Sequence, residues 1–258
     1  MTPPEAAREA SEDRAALLSE APPPPPLNSR TARWLWPILV LAALALFGAG
    51  AELIDDLMEG DTFRFDQAIL LAFRTPGDLA RPIGPAWLTQ SAIDFSALGG
   101  FTLLWLFGAF AVVFLAYVRR RAEAAWLAGS LVGASLINAA LKMVLNRPRP
   151  EVVPHLAHVS NASFPSGHAM IAAAVYLTLG IMLAEAQPKL AARAWLVAFS
   201  GFLVLAIGLS RLYLGVHWPS DVLAGWCFGA VWALAVYGAN RALRRRSVGL
   251  HPTHRGKA

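Results

Sequence analysis

The sequence predicts an all-α membrane protein, a bundle of six transmembrane helices with an interfacial extracytoplasmic helix. Hydrophobic residues make up 56% of the 258-residue chain and charged residues only 15%, whereas soluble domains average roughly 45–50% and about 25%. The apolar residues are concentrated in six uncharged runs of 16 to 24 residues, and a helix needs about 17–25 such residues to cross a bilayer. The runs, which predict the spans in order, are 34–51, 95–118, 124–141, 169–184, 194–210 and 222–240.

Two polar tails flank the six runs. Residues 1–33 contain five consecutive prolines and few large apolar residues, so we expect a disordered cytoplasmic tail. Residues 34–240 form the predicted membrane domain, and residues 241–258 form a basic cytoplasmic tail. A cleaved signal peptide is the competing interpretation of the first run. That run is longer than the apolar core of a signal, and the tail before it is too long.

Basic residues predict the orientation in the membrane. With the N-terminus inside, the cytoplasmic segments hold 15 Lys and Arg residues and the outer segments hold 7, as the positive-inside rule requires. Both termini are then cytoplasmic, and residues 54–94 form an extracytoplasmic segment. Within it, the helical spacing of residues 65–74 predicts the interfacial helix, and three prolines then predict an irregular stretch. The Arg clusters at 119–121 and 241–246 directly follow spans, which indicates topology signals rather than a nucleic-acid site.

Three polar clusters interrupt the ends of the apolar runs. The first is Lys142 with residues 146–150, the second is residues 163–168, and the third joins residues 210–211 to 217–221. In the predicted topology all three lie at the outer face of the membrane. Charges at membrane depth are costly and usually mark function, so we expect the three clusters to form one site.

The cations in these clusters favour a phosphate ligand. Lys142, Arg149 and Arg211 bring three positive charges, and the arginine fork donates two parallel hydrogen bonds to such an anion. Arg147 is a candidate fourth cation. The serine and glycine at 166–167 open the fourth span, where free backbone N–H groups and the helix dipole favour an anion.

A histidine–aspartate pair supplies a candidate nucleophile. His217 and Asp221 are four residues apart, so a helical turn can bring them together. A carboxylate bonded to one imidazole nitrogen fixes the tautomer and frees the other nitrogen to attack phosphorus, which gives a phosphohistidine. His168 could protonate the leaving oxygen and then activate water. No carboxylate cluster suited to a divalent metal accompanies these residues in the sequence, so we expect no metal and no other cofactor.

Together the clusters resemble the three motifs of the type 2 phosphatidic acid phosphatase superfamily. The matches are Lys142-x6-Arg149-Pro150, Pro165-Ser166-Gly167-His168 and Ser210-Arg211-x5-His217-x3-Asp221. The resemblance covers residues 122–237 and implies that phosphate is bound by Lys142, Arg149, Ser166, Gly167 and Arg211. It also implies that His217 is the nucleophile, His168 the acid and Asp221 the residue that orients the nucleophile. The Arg-Pro pair occurs twice, and only the Arg149 copy has the family spacing, so the role of Arg147 stays open.

The resemblance implies a metal-independent lipid phosphatase of the bacterial inner membrane, with its active site facing the periplasm or exterior. Undecaprenyl diphosphate is the leading substrate, and phosphatidylglycerophosphate, phosphatidic acid and diacylglycerol diphosphate are alternatives. A lipid phosphotransferase would use the same site, and a non-catalytic transporter or lipid-binding protein is the non-enzymatic alternative. Vanadate-dependent haloperoxidases share the family pocket but are soluble, which the six apolar runs disfavour. The expected partners are the lipid substrate and the bilayer; the sequence does not predict the number of subunits.

Overall fold

A computed structural model describes residues 29–58, 64–159 and 161–249, with the backbone alone at 29–40, 56–58 and 244–249. Among the described residues, those from Leu39 onward belong to one compact unit and the helical residues 29–38 belong to another. Of the tail predicted to be disordered, 1–33, only residues 29–33 are described, and they are helical. The described part of the chain contains eight helices and one hairpin. In chain order they are α1 (Ser29–Met58), α2 (Arg64–Ala72), β1 (Arg74–Thr75), β2 (Asp78–Pro82), α3 (Ala86–Leu98), α4 (Phe101–Tyr117), α5 (Arg121–Leu145), α6 (Gly167–Glu185), α7 (Leu190–Tyr213) and α8 (Pro219–Gly249).

Several of these helices can cross a membrane. Among the described residues, α5, α6, α7 and the part of α8 up to Leu243 are long and apolar enough. Helices α3 and α4 add a fifth span if the bent pair is counted as one, with an angle of 46° between them. The prediction of a helical multi-pass membrane protein is therefore confirmed. The count of six is not, and the first predicted span, which lies within α1, stays a prediction.

The second predicted span, 95–118, is broken at its start. The break lies at Gly99, where a Cβ atom would be only 2.4 Å from Cγ2 of Ile207 in α7. A side chain at this position would collide with α7, so glycine permits the close approach of the two segments. The chain thus bends at residues 99–100 where the sequence pattern predicts one continuous helix.

The segment 64–94, part of the predicted extracytoplasmic segment, contains a helix and a hairpin. Helix α2 confirms that residues near 65–74 are helical, but the irregular stretch expected after it includes the antiparallel pair β1–β2. Between the strands, Pro76 and Gly77 occupy the central positions of a tight turn, and Gly77 has φ +84°. Proline followed by a residue with positive φ is typical of a type II turn. The strict all-α prediction is therefore wrong at this small hairpin.

Helix α6 lies at the centre of the bundle and contacts α5, α7 and α8. Its contact with α8 is close because small residues line it. A Cβ atom at Gly225 would lie 2.9 Å from the backbone oxygen of Ser166, and one at Gly229 would lie 2.3 Å from the backbone oxygen of Met170. Small residues let membrane helices pack backbone to backbone. This packing holds the start of α6 against the first turns of α8.

Candidate active site

Backbone hydrogen bonds join the three polar clusters at one end of the bundle. Ser163 N donates to Arg147 O (2.8 Å), which links the loop after α5 to the segment before α6. Ser166 N donates to Asp221 O (2.9 Å), which links the start of α6 to the first turn of α8. The predicted convergence of the clusters is therefore present in the structure.

A cavity of about 340 Å³ lies where these segments meet. It is lined by six of the eight predicted site residues: Lys142, Arg149, Gly167, His168, Arg211 and His217. The remaining two, Ser166 and Asp221, are fully buried next to it. The rest of the lining includes the polar Asn138, His158 and Asn161 and the apolar Phe101 and Ile171.

Three cations approach the cavity from different elements. Lys142, near the end of α5, donates to Ala162 O. Arg149 donates from Nε to Asn161 O (2.7 Å) and from Nη1 to Val216 O (2.6 Å). Arg211, near the end of α7, donates from Nη1 to Ser96 Oγ (2.5 Å), and its buried Nε has no hydrogen-bond partner among the described residues.

The charge around the cavity favours an anion. Burial lowers the pKa of Arg149, yet a guanidinium remains charged at neutral pH. Within the described part of the chain, the lining residues include three cations and no carboxylate. Like charges held this close repel one another, so a phosphoryl group among them would lower the electrostatic energy of the site.

The start of α6 adds backbone donors to the same cavity. Ser166 is the N-cap residue, and its side chain accepts a hydrogen bond from Ala169 N (3.5 Å). Gly167 follows it and lines the cavity, and a Cβ atom there would lie 3.0 Å from Asn138 Oδ1. The glycine therefore keeps the helix start open to a ligand, and the N–H groups of a first helical turn favour an anion.

The predicted pair His217–Asp221 is in contact. His217 is 2% exposed, and its Nδ1 lies 3.5 Å from Asp221 Oδ2. The contact is made by the turn that leads into α8, since His217 comes two residues before Pro219, the first helical residue. Asp221 Oδ2 also accepts from Trp218 N (2.9 Å), as an acidic residue in the first turn does when it caps its own helix.

Contacts on both imidazole nitrogens define the state of His217. Burial, reinforced by Arg211 and Arg149 and opposed by Asp221, lowers the pKa of His217 to about 3. The ring is therefore neutral at pH 7. Arg149 Nη1 lies 3.4 Å from Nε2, and because a guanidinium can only donate, Nε2 carries the lone pair and Nδ1 the proton. This is the tautomer that a nucleophilic Nε2 requires.

His168 lies in the first turn of α6 and lines the same cavity as His217. A Cβ atom at Gly99 would lie 3.4 Å from Cβ of His168, so the break between α3 and α4 packs against this residue. Both imidazoles thus have access to one bound group, which is the arrangement that a nucleophile and a separate acid need.

Arg147 has a different environment from the other cations. It does not belong to the cavity lining; its Nη1 donates to Asp221 Oδ1 (2.6 Å) and its Nη2 to Asp66 Oδ2 (2.9 Å). The sequence left its role open, and it contained no signal that would assign one to Asp66. Asp66 lies in α2, 81 residues before Arg147, so only the fold brings the two together.

Known proteins and a known family are similar to this chain in sequence. Residues 123–245 match the PAP2 superfamily. The chain is 39% identical over 111 residues to phosphatidylglycerophosphatase B of Bacillus subtilis (strain 168), a match that spans 43% of this chain and 54% of that protein. It is 32% identical over 197 residues to decaprenylphosphoryl-5-phosphoribose phosphatase of Mycobacterium tuberculosis (strain CDC 1551 / Oshkosh), spanning 71% of this chain and 97% of that protein.

The fold is also similar to a solved structure. The crystal structure of a transmembrane PAP2 type phosphatidylglycerolphosphate phosphatase from Bacillus subtilis superimposes with a TM-score of 0.69 at 27% sequence identity. The match covers 79% of this chain and 98% of that one. The similarity therefore extends over most of this chain and nearly all of the solved one.

Proposed function

Because the chain belongs to the PAP2 superfamily, we propose that it hydrolyses a phosphate or diphosphate group on a membrane lipid through a phosphohistidine at His217. The observation that carries this proposal is the single cavity lined by two imidazoles and three cations. Lys142, Arg149 and Arg211 bind the non-bridging oxygens of the phosphoryl group. The N–H groups at the start of α6, at Ser166 and Gly167, add further donors.

The reaction has two steps. In the first, the Nε2 lone pair of His217 attacks phosphorus, the bond from phosphorus to the lipid oxygen breaks, and His168 transfers a proton to that oxygen. In the second, water attacks the phosphohistidine while His168 takes up a proton from it, and the N–P bond breaks to release phosphate. Asp221 keeps the proton of His217 on Nδ1 and stabilises the positive charge that develops on the ring.

The proposed membrane arrangement keeps six spans, with the first in α1. Residues 1–33 and 241–258 are the cytoplasmic tails, residues 34–240 the phosphatase domain, and residues 54–94 the outer segment with α2 at the interface. The cavity then opens to the periplasm or exterior of a bacterial inner membrane. The distribution of basic residues supports this orientation. The apolar Phe101, which is 67% exposed, and Ile171 line the cavity, and they are the proposed contacts of the lipid tail.

Undecaprenyl diphosphate is the proposed substrate, because an outward-facing site suits a carrier lipid that is released at the outer leaflet. Phosphatidylglycerophosphate is a second candidate, since the Bacillus subtilis relative and the similar solved structure are named for it. The two differ in the leaving group, a lipid phosphate in one case and a lipid alcohol in the other. The same cavity chemistry serves both.

A panel assay with the purified protein tests the proposal. The protein is presented with both lipids, phosphatidic acid and diacylglycerol diphosphate, and inorganic phosphate is measured without added divalent metal. We expect release from at least one lipid and none from His217→Ala. A competing alcohol in the assay distinguishes a phosphotransferase, which would form a new phosphate ester. Undiminished release from His217→Ala would contradict the mechanism.

A further inference from the structure

We propose that Arg147 and Asp66 are positioning residues that hold the Asp221 carboxylate against His217 and tie helix α2 to the catalytic turn. This inference rests on the proposed function of His217. It goes beyond the three motifs, since neither Arg147 nor Asp66 is one of their residues. We refer to Asp66, Arg147, Ser220 and Asp221 below as the carboxylate clamp.

Arg147 joins two carboxylates with one guanidinium. Its Nη1 donates to Asp221 Oδ1 (2.6 Å) and to Ser220 Oγ (2.7 Å), and its Nη2 donates to Asp66 Oδ2 (2.9 Å). The side chain is 10% exposed, while the carboxylates of Asp66 and Asp221 are 2% and 0% exposed. Hydrogen bonds between ionised groups are about twice as strong as neutral ones. A buried arginine between two buried carboxylates therefore fixes the position of both.

Asp66 connects the clamp to the start of α8. Its Oδ1 accepts from Ser220 N (2.8 Å), and its Oδ2 accepts from Ser220 Oγ (2.6 Å). Ser220 is the second residue of α8, so its backbone N–H has no acceptor within the helix. An aspartate from a distant helix thus caps α8, and a carboxylate at a helix N-terminus also interacts favourably with the dipole.

The clamp leaves Asp221 one orientation. Oδ1 is bonded to Arg147, while Oδ2 accepts from Trp218 N and from Ser163 Oγ and faces His217 Nδ1. Rotation of the carboxylate would break bonds on both oxygens at once. The orientation of the imidazole therefore depends on Arg147, although Arg147 does not line the cavity and so does not contact the phosphate.

Kinetics separate this role from phosphate binding. We expect Arg147→Gln and Asp66→Asn each to lower kcat on the order of 10- to 100-fold, the loss typical of groups that orient a catalytic ligand. The KM and the inhibition constant of inorganic phosphate should change less than about twofold, because neither substitution removes a group that binds the phosphate in the ground state. Arg149→Gln, which removes a cavity cation, should weaken phosphate inhibition. Arg120→Gln removes a half-exposed guanidinium paired with Glu123 and serves as the matched control.

Coupling and rescue complete the kinetic test. The double variant with Arg147→Gln and Asp66→Asn should lose little more kcat than either single variant, because the two residues act as one unit. Arg147→Lys should recover part of the loss. Any one of three results would overturn the inference. They are losses of kcat that multiply in the double variant, a kcat within twofold of wild type for Arg147→Gln, and a weakening of phosphate inhibition by Arg147→Gln equal to that of Arg149→Gln.

A spectroscopic readout keeps the test independent of activity and of folding losses. Nitrogen-15 histidine NMR, with His217→Asn to identify the resonance, should show the Nδ1-protonated tautomer in wild type and a mixture of tautomers in Asp66→Asn. Because Asp66→Asn preserves the size of the side chain, it serves as the test variant if Arg147→Gln fails to fold. An unchanged tautomer in a folded Asp66→Asn variant would overturn the inference. A wild type that is inactive on every lipid would refute the proposed function, and the tautomer measurement would still decide on the clamp.

Discussion

The most informative single substitution is Asp221→Asn, which retains the size of the side chain and removes its charge. In the wild type both carboxylate oxygens are acceptors: Oδ1 faces Arg147 Nη1 at 2.6 Å, and Oδ2 faces Trp218 N at 2.9 Å and His217 Nδ1 at 3.5 Å. An amide has one oxygen and one NH2 group. In either orientation of the amide, its NH2 group faces another hydrogen-bond donor.

The two orientations have different consequences, and both are harmful. With the amide NH2 towards Arg147, the guanidinium loses a charged partner and faces a donor. With the NH2 towards His217, Nδ1 must become the acceptor, and the proton moves to Nε2, the nitrogen that attacks. Loss of the correct tautomer in a comparable triad lowers kcat about 10⁴-fold. We therefore expect a loss on the order of 10³- to 10⁴-fold, which is about 4–5.5 kcal/mol in the barrier.

Phosphate release from the best lipid of the panel measures this loss. Asp94→Asn is the matched control, because it neutralises an exposed aspartate whose partner is Gln90. The thermal midpoint of both variants is measured alongside, so that a folding defect is separated from a catalytic one. A folded Asp221→Asn variant that keeps more than about a tenth of the wild-type kcat would refute the role given to Asp221.

Three further predictions follow from the same geometry. The pKa of His217 in the folded protein is about 3, below the unfolded value of about 6.5, so the unfolded state binds more protons between these two pH values. The stability of the wild type should therefore fall as the pH drops from about 6.5 to about 3, and the thermal midpoint of His217→Asn should fall less over the same range. Gly229→Ala places a Cβ atom 2.3 Å from the backbone oxygen of Met170 and should cost about 1–3 kcal/mol by overpacking, seen as a lower thermal midpoint. Gly201→Ala should leave the midpoint unchanged, because no atom of the described residues lies within 4 Å of the added Cβ. Phosphate release should continue at the same rate in EDTA, since arginine and lysine side chains supply the positive charge in the proposed mechanism; abolition by the chelator and recovery with a divalent cation would contradict this.

Local sequence information was sufficient for six of the residues that line the cavity, namely Lys142, Arg149, Gly167, His168, Arg211 and His217, but not for Asn138, His158 or Asn161. Neighbours in the sequence largely determine the environment of these residues. This holds for the spacing of Lys142 and Arg149, for the Pro165–His168 segment and for the His217–Asp221 pair. Each pair or segment lies at a helix end, where the chain changes direction and a polar residue can face a ligand. Hydropathy predicted which ends coincide, because spans alternate in direction.

The features that the sequence did not reveal depend on tertiary contacts. The break at Gly99 requires the close approach of Ile207, which is 108 residues away, and glycine alone in an apolar run does not signal it. Arg147 and Arg149 both precede a proline, and only their opposite surroundings, two carboxylates for one and the cavity for the other, distinguish them. Asp66 stands in an amphipathic stretch in which a solvent-exposed carboxylate would be equally natural.

Identification of the phosphorylated residue tests the central claim most directly. The protein is mixed with the lipid phosphate that it hydrolyses, quenched at neutral to alkaline pH during turnover, digested and analysed by mass spectrometry. The predicted result is a covalent phosphohistidine at His217 that is absent from His217→Ala. In His168→Ala the adduct should be retained longer, because water is no longer activated. A phosphate found on another residue, or turnover by wild type with no adduct on the peptide that contains His217, would contradict the account.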